Sequence, residues 1–71
     1  MNRTPVSSSN LASVGYDKAS RTLEVEFHRS GVYQFSGIHP NTHRHLMSAG
    51  SKGKFFHKNI RDSYPYEKLG K

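Results

Sequence analysis

The fold follows from residues 11–36, which read LASVGYDKASRTLEVEFHRSGVYQFS. Successive side chains of a β-strand point to opposite faces, so apolar residues at every second position are typical of strands with one buried face. Three runs in this stretch have that pattern: Ala12, Val14 and Tyr16, then Leu23, Val25 and Phe27, then Tyr33 and Phe35. The stretch therefore predicts three strands that share one apolar face.

Two hairpin registers keep these apolar residues together. Pairing Val14 with Val25 and Tyr16 with Leu23 leaves a four-residue loop over residues 18–21. Consistent side-chain faces across paired strands specify a register, so we predict an antiparallel meander.

The second hairpin is predicted to pair Phe27 with Tyr33 and Val25 with Phe35. Its three-residue loop ends at Gly31, in a position that requires positive φ, which glycine adopts at little cost. The opposite face of the sheet is polar and slightly acidic, and we expect it to face water. It carries Ser13, Gly15, Thr22, Glu24, Glu26, His28, Gln34 and Ser36.

The alternation stops after the third strand, and a helical spacing follows. Pro40 suits the first turn of a helix, and Leu46 and Met47 follow on one side. We predict a helix over about residues 40–48, which Gly50 ends.

A second helix is predicted over about residues 52–61, with Ser51 as its N-cap and with Phe56 and Ile60 on its apolar side. The two helices should cover the apolar face of the sheet. The predicted fold class is thus α+β: a three-stranded antiparallel β-meander packed on one face by two short α-helices.

The length of 71 residues fits one domain, which we place at residues 6–69 after a flexible arm over residues 1–5. There is no cysteine, which excludes disulfides and a cysteine nucleophile. No apolar run approaches the roughly 20 residues of a membrane span, so no membrane partner is predicted. These features favour the cytoplasm.

Positive charge is concentrated in the second half of the chain. The formal net charge is +6, and residues 39–61 contain no acidic residue. Such a balance indicates a polyanionic partner, with nucleic acid as the first choice. The predicted nucleic-acid-binding residues are Lys52, Lys54, Lys58, Arg61 and Arg44, of which Lys54, Lys58 and Arg61 should form one stripe on the second helix.

A phosphate site is predicted at the start of the second helix, formed by Ser51, Lys52 and Gly53. The free backbone N–H groups of a helix N-terminus attract anions. A nucleotide-hydrolysing phosphate loop is not indicated, because that motif requires Ser or Thr after its lysine and Phe55 follows Lys54 here.

The sequence offers little for catalysis. No spacing of serine, histidine and aspartate suggests a triad, and no carboxylate lies among His39, His43, His45 and His57. We therefore predict no enzymatic activity, no metal and no cofactor.

Aromatic residues on a sheet can stack RNA bases. Tyr33 and Phe35, however, share the face that the helices need, so we assign them mainly to the core. Three tyrosines are candidates for the rim of a site: Tyr16, Tyr64 and Tyr66. A purely structural role is the simpler interpretation of each.

The order of several short motifs resembles the KTSC domain family over about residues 6–69. The motifs are Val6-Ser7-Ser8-Ser9, Leu11, Val14-Gly15-Tyr16-Asp17, Leu23-Glu24-Val25-Glu26-Phe27, Gly31-Val32-Tyr33-Gln34-Phe35, Ala49-Gly50-Ser51-Lys52-Gly53, Phe55-Phe56, Ile60-Arg61 and Tyr64. The resemblance implies a domain found at the C-terminus of some lysyl-tRNA synthetases and as small bacterial and phage proteins. It suggests RNA binding, by association with a tRNA-charging enzyme.

Charge and resemblance thus lead to one functional hypothesis by separate routes. We expect a non-catalytic module that binds RNA, tRNA-like or otherwise structured, through a basic helical surface with mainly phosphate contacts. The alternative is a protein-interaction module that docks an acidic partner.

Overall fold

The computed structural model describes residues 1–69 and has an α+β fold. One antiparallel sheet contains the strands in their sequence order, β1-β2-β3-β4-β5. The elements are β1 (Thr4–Pro5), β2 (Leu11–Asp17), β3 (Thr22–Phe27), β4 (Gly31–Phe35), α1 (Pro40–Ser48), α2 (Lys52–Asn59) and β5 (Tyr66–Lys68).

The prediction of three strands was wrong in number, because the sheet has five. The three predicted strands are its centre, and a short strand pairs with each edge: Thr4 lies opposite Val14, and Tyr66 lies opposite Phe35. A two-residue and a three-residue strand are too short to show alternation. Pro5 is tolerated in β1 because an edge strand need not donate from every backbone nitrogen.

The first hairpin has the predicted register, with Val14 opposite Val25 and Tyr16 opposite Leu23. A register shift between Leu11 and Ser13 changes the parity at the start of β2. Leu11, rather than the predicted Ala12, is consequently buried in the core.

The second hairpin is shifted by two residues from the predicted register. Val25 lies opposite Tyr33 and Phe27 lies opposite Gly31, so the loop comprises residues 28–30. A two-residue shift keeps every side chain on the same face, which is why the hydrophobic pattern could not exclude it. Gly31 does adopt positive φ, at 92°.

Both predicted helices are present. Pro40 occupies the first turn of α1, and the Ser51 hydroxyl accepts a hydrogen bond from the backbone nitrogen of Lys54 at 3.4 Å, which caps α2. The second helix ends at Asn59, two residues earlier than predicted, with Ile60 as its C-cap.

The core lies between the helices and one face of the sheet. Phe56 of α2 packs edge-on against Phe27 and Phe35, with ring centroids 5.2 Å apart in both pairs. The buried apolar residues are Leu11, Val14, Leu23, Val25, Phe35, Ile38, Leu46, Phe56 and Ile60.

The opposite face of the sheet, which we call the outer face, is less exposed than predicted. Ser13 and Glu24 are buried, because the first three residues of the chain lie over the face. A Cβ atom added at Gly15 would lie 2.7 Å from the carbonyl oxygen of Asn2, so only glycine permits this close approach. Within residues 1–5, predicted to be a flexible arm, Thr4 and Pro5 form β1.

A polar network holds the outer face together. Arg3 forms an ion pair with Glu24 and donates from Nε to the Ser13 hydroxyl at 3.0 Å. Ser13 donates to Glu26 at 2.8 Å, and Gln34 donates to Glu24 at 2.9 Å. Burial raises the pKa of Glu24, but the hydrogen bonds from Gln34 and Arg3 outweigh it and hold this pKa below its ordinary value.

Candidate nucleic-acid interface

A groove of about 710 Å³ lies where α2 meets the end of the sheet that carries the β3–β4 loop. Ligand pockets in proteins typically occupy ~300–1,000 Å³, so the groove is large enough for a ligand. One wall comes from the inner face of β3, β4 and β5, and the other comes from α2 and the residues that follow it.

A wall of connected aromatic rings lines the groove, four of them from the sheet and one, Phe56, from α2. Its members are Phe27, Tyr33, Phe35, Phe56 and Tyr66. Neighbouring ring centroids in this aromatic wall are 5.2–5.7 Å apart. These separations lie within the range of favourable aromatic pairs, so the wall is a packed surface.

Exposure increases along this wall toward β5. Phe35 and Phe56 are buried, Tyr33 is half-buried, and Tyr66 is 61% exposed. The Lys68 ammonium group lies 5.7 Å from the centre of the Tyr33 ring, in cation–π distance. The wall thus begins in the core and ends in solvent.

Cationic side chains border the aromatic wall. Lys54 and Arg61 come from α2 and the turn after it, and Arg29 comes from the β3–β4 loop. All three are exposed. Asp62 is the carboxylate among the lining residues, so the net charge of the groove is positive.

Two histidines complete the border. A guanidinium nitrogen of Arg61 lies 2.9 Å from Nδ1 of His57, one helical turn away. His28 Nε2 lies 3.1 Å from the carbonyl oxygen of Ser8. Both rings line the groove and supply further polar nitrogen atoms.

The predicted nucleic-acid-binding residues do not all meet in this groove. Lys54 and Arg61 line it, whereas Lys52, Lys58 and Arg44 do not. Lys52 is half-buried, and its Nζ lies 3.4 Å from the carbonyl oxygen of Ala49, beyond the usual distance for a hydrogen bond to an amine. Lys58 is exposed on α2, and Arg44 donates to the Asn41 side chain on α1.

The predicted phosphate-binding residues lie on two sides of the start of α2. Ser51 and Lys52 border a separate polar recess, together with Gly50 and residues 7–9. Gly53 lines the main groove, where an added Cβ would lie 2.9 Å from the side-chain amide nitrogen (Nδ2) of Asn10. Phosphate binding by these residues stays a prediction.

The sequence did not indicate Arg29, His28 or Tyr66 as members of the same site. His28 and Arg29 are distant from α2 along the chain, and Tyr66 follows it by seven residues. All three join the groove only through the meander and β5. The sequence offered one indication of this site: the predicted hairpin places its loop, now the β3–β4 loop, at the same end of the sheet as the start of β4. The sequence predicts Tyr66 only as a candidate rim residue and does not indicate which part of the fold it borders.

The histidine-rich segment contributes to packing on α1. The His43 ring stacks on Tyr16, with centroids 4.5 Å apart and planes 11° from parallel. Burial lowers the pKa of His43, which favours the neutral ring in this stack. Within residues 1–69, no three histidine or acidic side chains are placed to hold a metal ion together.

This chain is similar to known proteins in sequence and in structure. The sequence profile of the KTSC domain matches residues 7–64. An uncharacterized protein from Stutzerimonas stutzeri is 36% identical over 58 residues, which cover 82% of each chain. A lysine–tRNA ligase from Trichormus variabilis is 35% identical over 54 residues, which are 76% of this chain but 10% of the ligase.

The fold also matches a solved structure. The crystal structure of a KTSC domain protein from Yersinia pestis superposes with a TM-score of 0.96 at 43% sequence identity, covering 97% of both chains. No helix among the described residues is long and apolar enough to span a membrane.

Proposed function

This chain belongs to the KTSC domain family, and we propose that it is a non-catalytic RNA-binding module whose contact surface is the groove beside α2. The observation that carries the proposal is the placement of Lys54, Arg61 and Arg29 around the aromatic wall. Positive charge and exposed aromatic rings are the two features that proteins combine to bind nucleic-acid strands.

Phosphate contacts supply most of the expected affinity. The exposed ends of Lys54, Arg61 and Arg29 can each approach a phosphate without leaving an ion pair, since none of them has a carboxylate within 4.0 Å among the described residues. Lys58, Lys52 and Arg44 lie outside the groove and add to the field that attracts the RNA. The net charge of +6 acts in the same direction.

The lysine–tRNA ligases support RNA over other polyanions. Their name states an activity on tRNA, and a segment similar to this chain occupies a tenth of their length. A tRNA-like or otherwise structured RNA is therefore the first partner to test. We place the module in the cytoplasm, since a small domain without cysteine is typical of a reducing compartment.

Fluorescence anisotropy with a labelled RNA tests the proposal. Substituting Lys54→Glu and Arg61→Glu together should weaken binding by at least ~10-fold and reduce the log–log salt slope by about 1 to 2 units, because two phosphate contacts are lost. The matched control is Lys18→Glu with Arg21→Glu, which makes the same charge change in the exposed β2–β3 loop, at the opposite end of the sheet.

The control variant should lose much less affinity than the groove variant. Absence of binding by the unmodified protein at low salt would contradict the proposal, as would equal losses in the two variants. A labelled acidic peptide tests the alternative function, a module that docks an acidic protein. Tighter binding of that peptide than of RNA would favour the alternative.

A further inference from the structure

The helices leave part of the inner face of the sheet uncovered. Phe56 covers the middle of the aromatic wall by its contacts with Phe27 and Phe35. Beyond it, Tyr33 is half-buried and Tyr66 is 61% exposed. Tyr66 is not an isolated exposed ring, because it continues the aromatic wall from Tyr33 and Phe35 into the groove. A contiguous exposed apolar surface of this kind often marks a ligand-binding groove.

The surroundings of this ring restrict the ligand. Tyr66 shares the groove with Lys54, Arg61 and Arg29, and Lys68 lies beside the neighbouring Tyr33. The complementary ligand has a flat aromatic group next to negative charge. A run of carboxylates would pair with the cations and leave the tyrosine rings without a partner.

We infer, on the basis of the proposed function, that the groove binds an unpaired segment of RNA, with a base stacked on Tyr66 and the adjacent phosphates on Lys54 and Arg61. In a duplex the base faces are already stacked on one another, whereas unpaired bases can be splayed out onto aromatic side chains. The preferred RNA is therefore a loop, a bulge or a free end.

Anisotropy titrations with two forms of one RNA test this inference. The first form is a labelled eight-nucleotide single strand, and the second is the same strand annealed to its complement. The single strand should bind more tightly. Tyr66→Leu should weaken single-strand binding by roughly 5- to 100-fold, in the range expected for loss of one base–aromatic stack, while Tyr66→Phe should bind like the unmodified protein.

Two controls separate stacking from folding. Leu69→Ala removes an exposed apolar side chain that lies outside the groove, and it should leave affinity unchanged. Thermal unfolding of Tyr66→Leu should match that of Tyr66→Phe. In addition, the ring proton resonances of Tyr66 should shift on addition of the single strand, which tests its contact without any substitution.

The outcomes distinguish this inference from the proposed function. If Lys54→Glu with Arg61→Glu weakens binding but the duplex binds as tightly as the single strand and the Tyr66 resonances do not move, the inference is wrong and the proposed function stands. If neither RNA form binds at low salt, both are wrong. Preference for a DNA strand of the same sequence, or for an acidic peptide, would also overturn the inference.

Discussion

The charged side chains on the outer face of the sheet are paired with one another, whereas those that border the groove on the inner face are exposed. On the outer face, Arg3 pairs with Glu24, Gln34 donates to the other oxygen of that carboxylate, and Ser13 donates to Glu26. In the groove, Arg29, Lys54 and Arg61 are exposed and have no such carboxylate partner among the described residues. The outer network therefore serves stability, and the groove cations remain available for a ligand.

The two surfaces also differ in whether a segment of the chain covers them. The outer face is closed by the first three residues of this chain, which approach closely enough that position 15 must be glycine. No described segment closes the groove in this way. A surface that the chain covers itself is a poor candidate for binding, and an uncovered one beside free cations is a good candidate.

The largest effect is expected from the core that joins α2 to the sheet. Ile60 is fully buried directly after α2, so Ile60→Ala should lower the free energy of unfolding by about 2–5 kcal/mol. Urea denaturation followed by circular dichroism measures the change. Lys58→Ala, exposed on the same helix, should change it by less than about 0.5 kcal/mol.

This result would show whether the position of α2 depends on the core or on the charged surface. If Lys58→Ala destabilised the domain as much as Ile60→Ala, the cations of α2 would have a structural role. The separation of a stable framework from a binding groove would then be wrong.

A smaller effect is expected on the outer face. Arg3→Ala leaves the buried Glu24 carboxylate without its cation and should lower the free energy of unfolding by about 1–3 kcal/mol. The matched control is Arg29→Ala in the β3–β4 loop, which should change stability by less than about 0.5 kcal/mol. The two substitutions should have the opposite effects on RNA binding: Arg29→Ala should lower the affinity, and Arg3→Ala should leave it unchanged.

The smallest effect is the pH dependence that Glu24 contributes. Its folded-state pKa lies below its ordinary value of 4.5, so the unfolded chain takes up the proton first as the pH falls. This contribution to stability is present above pH 4.5 and is lost as the pH falls through the lower folded-state pKa. Urea unfolding between pH 6 and pH 3 should show a shallower decline in Glu24→Gln than in the unmodified protein. An equal decline would mean that Glu24 is not held by its network.

The central strands and both helices could be predicted because their signals are local. The alternation of apolar residues over residues 11–36 predicted three strands, and Ser51 as an N-cap predicted the start of α2. The edge strands could not be predicted, because Thr4–Pro5 and Tyr66–Lys68 gain their conformation from pairing with β2 and β4. The two-residue shift of the second hairpin keeps each side chain on the same face, so the hydrophobic alternation is equally compatible with both registers.

The candidate site was predicted only in part, because sequence signals identify residues within one segment but not the residues that other elements bring to it. Lys54 and Arg61 belong to one short segment, and the sequence indicated both. Arg29 and Tyr66 reach that segment only when the meander and β5 are in place. The predicted stripe also included Lys58, which lies outside the groove, and the aromatic wall beside Lys54 and Arg61 depends on tertiary structure.

The central claim is that RNA binds in the groove and leaves the outer face free. Amide ¹H–¹⁵N spectra of the labelled protein, recorded during titration with the eight-nucleotide RNA strand, test it directly. The largest shifts are expected at Gly53, Lys54, His57 and Arg61, with Ser13 and Glu24 unmoved. Shifts centred on Ser13 and Glu24, or on the β2–β3 loop, would contradict it.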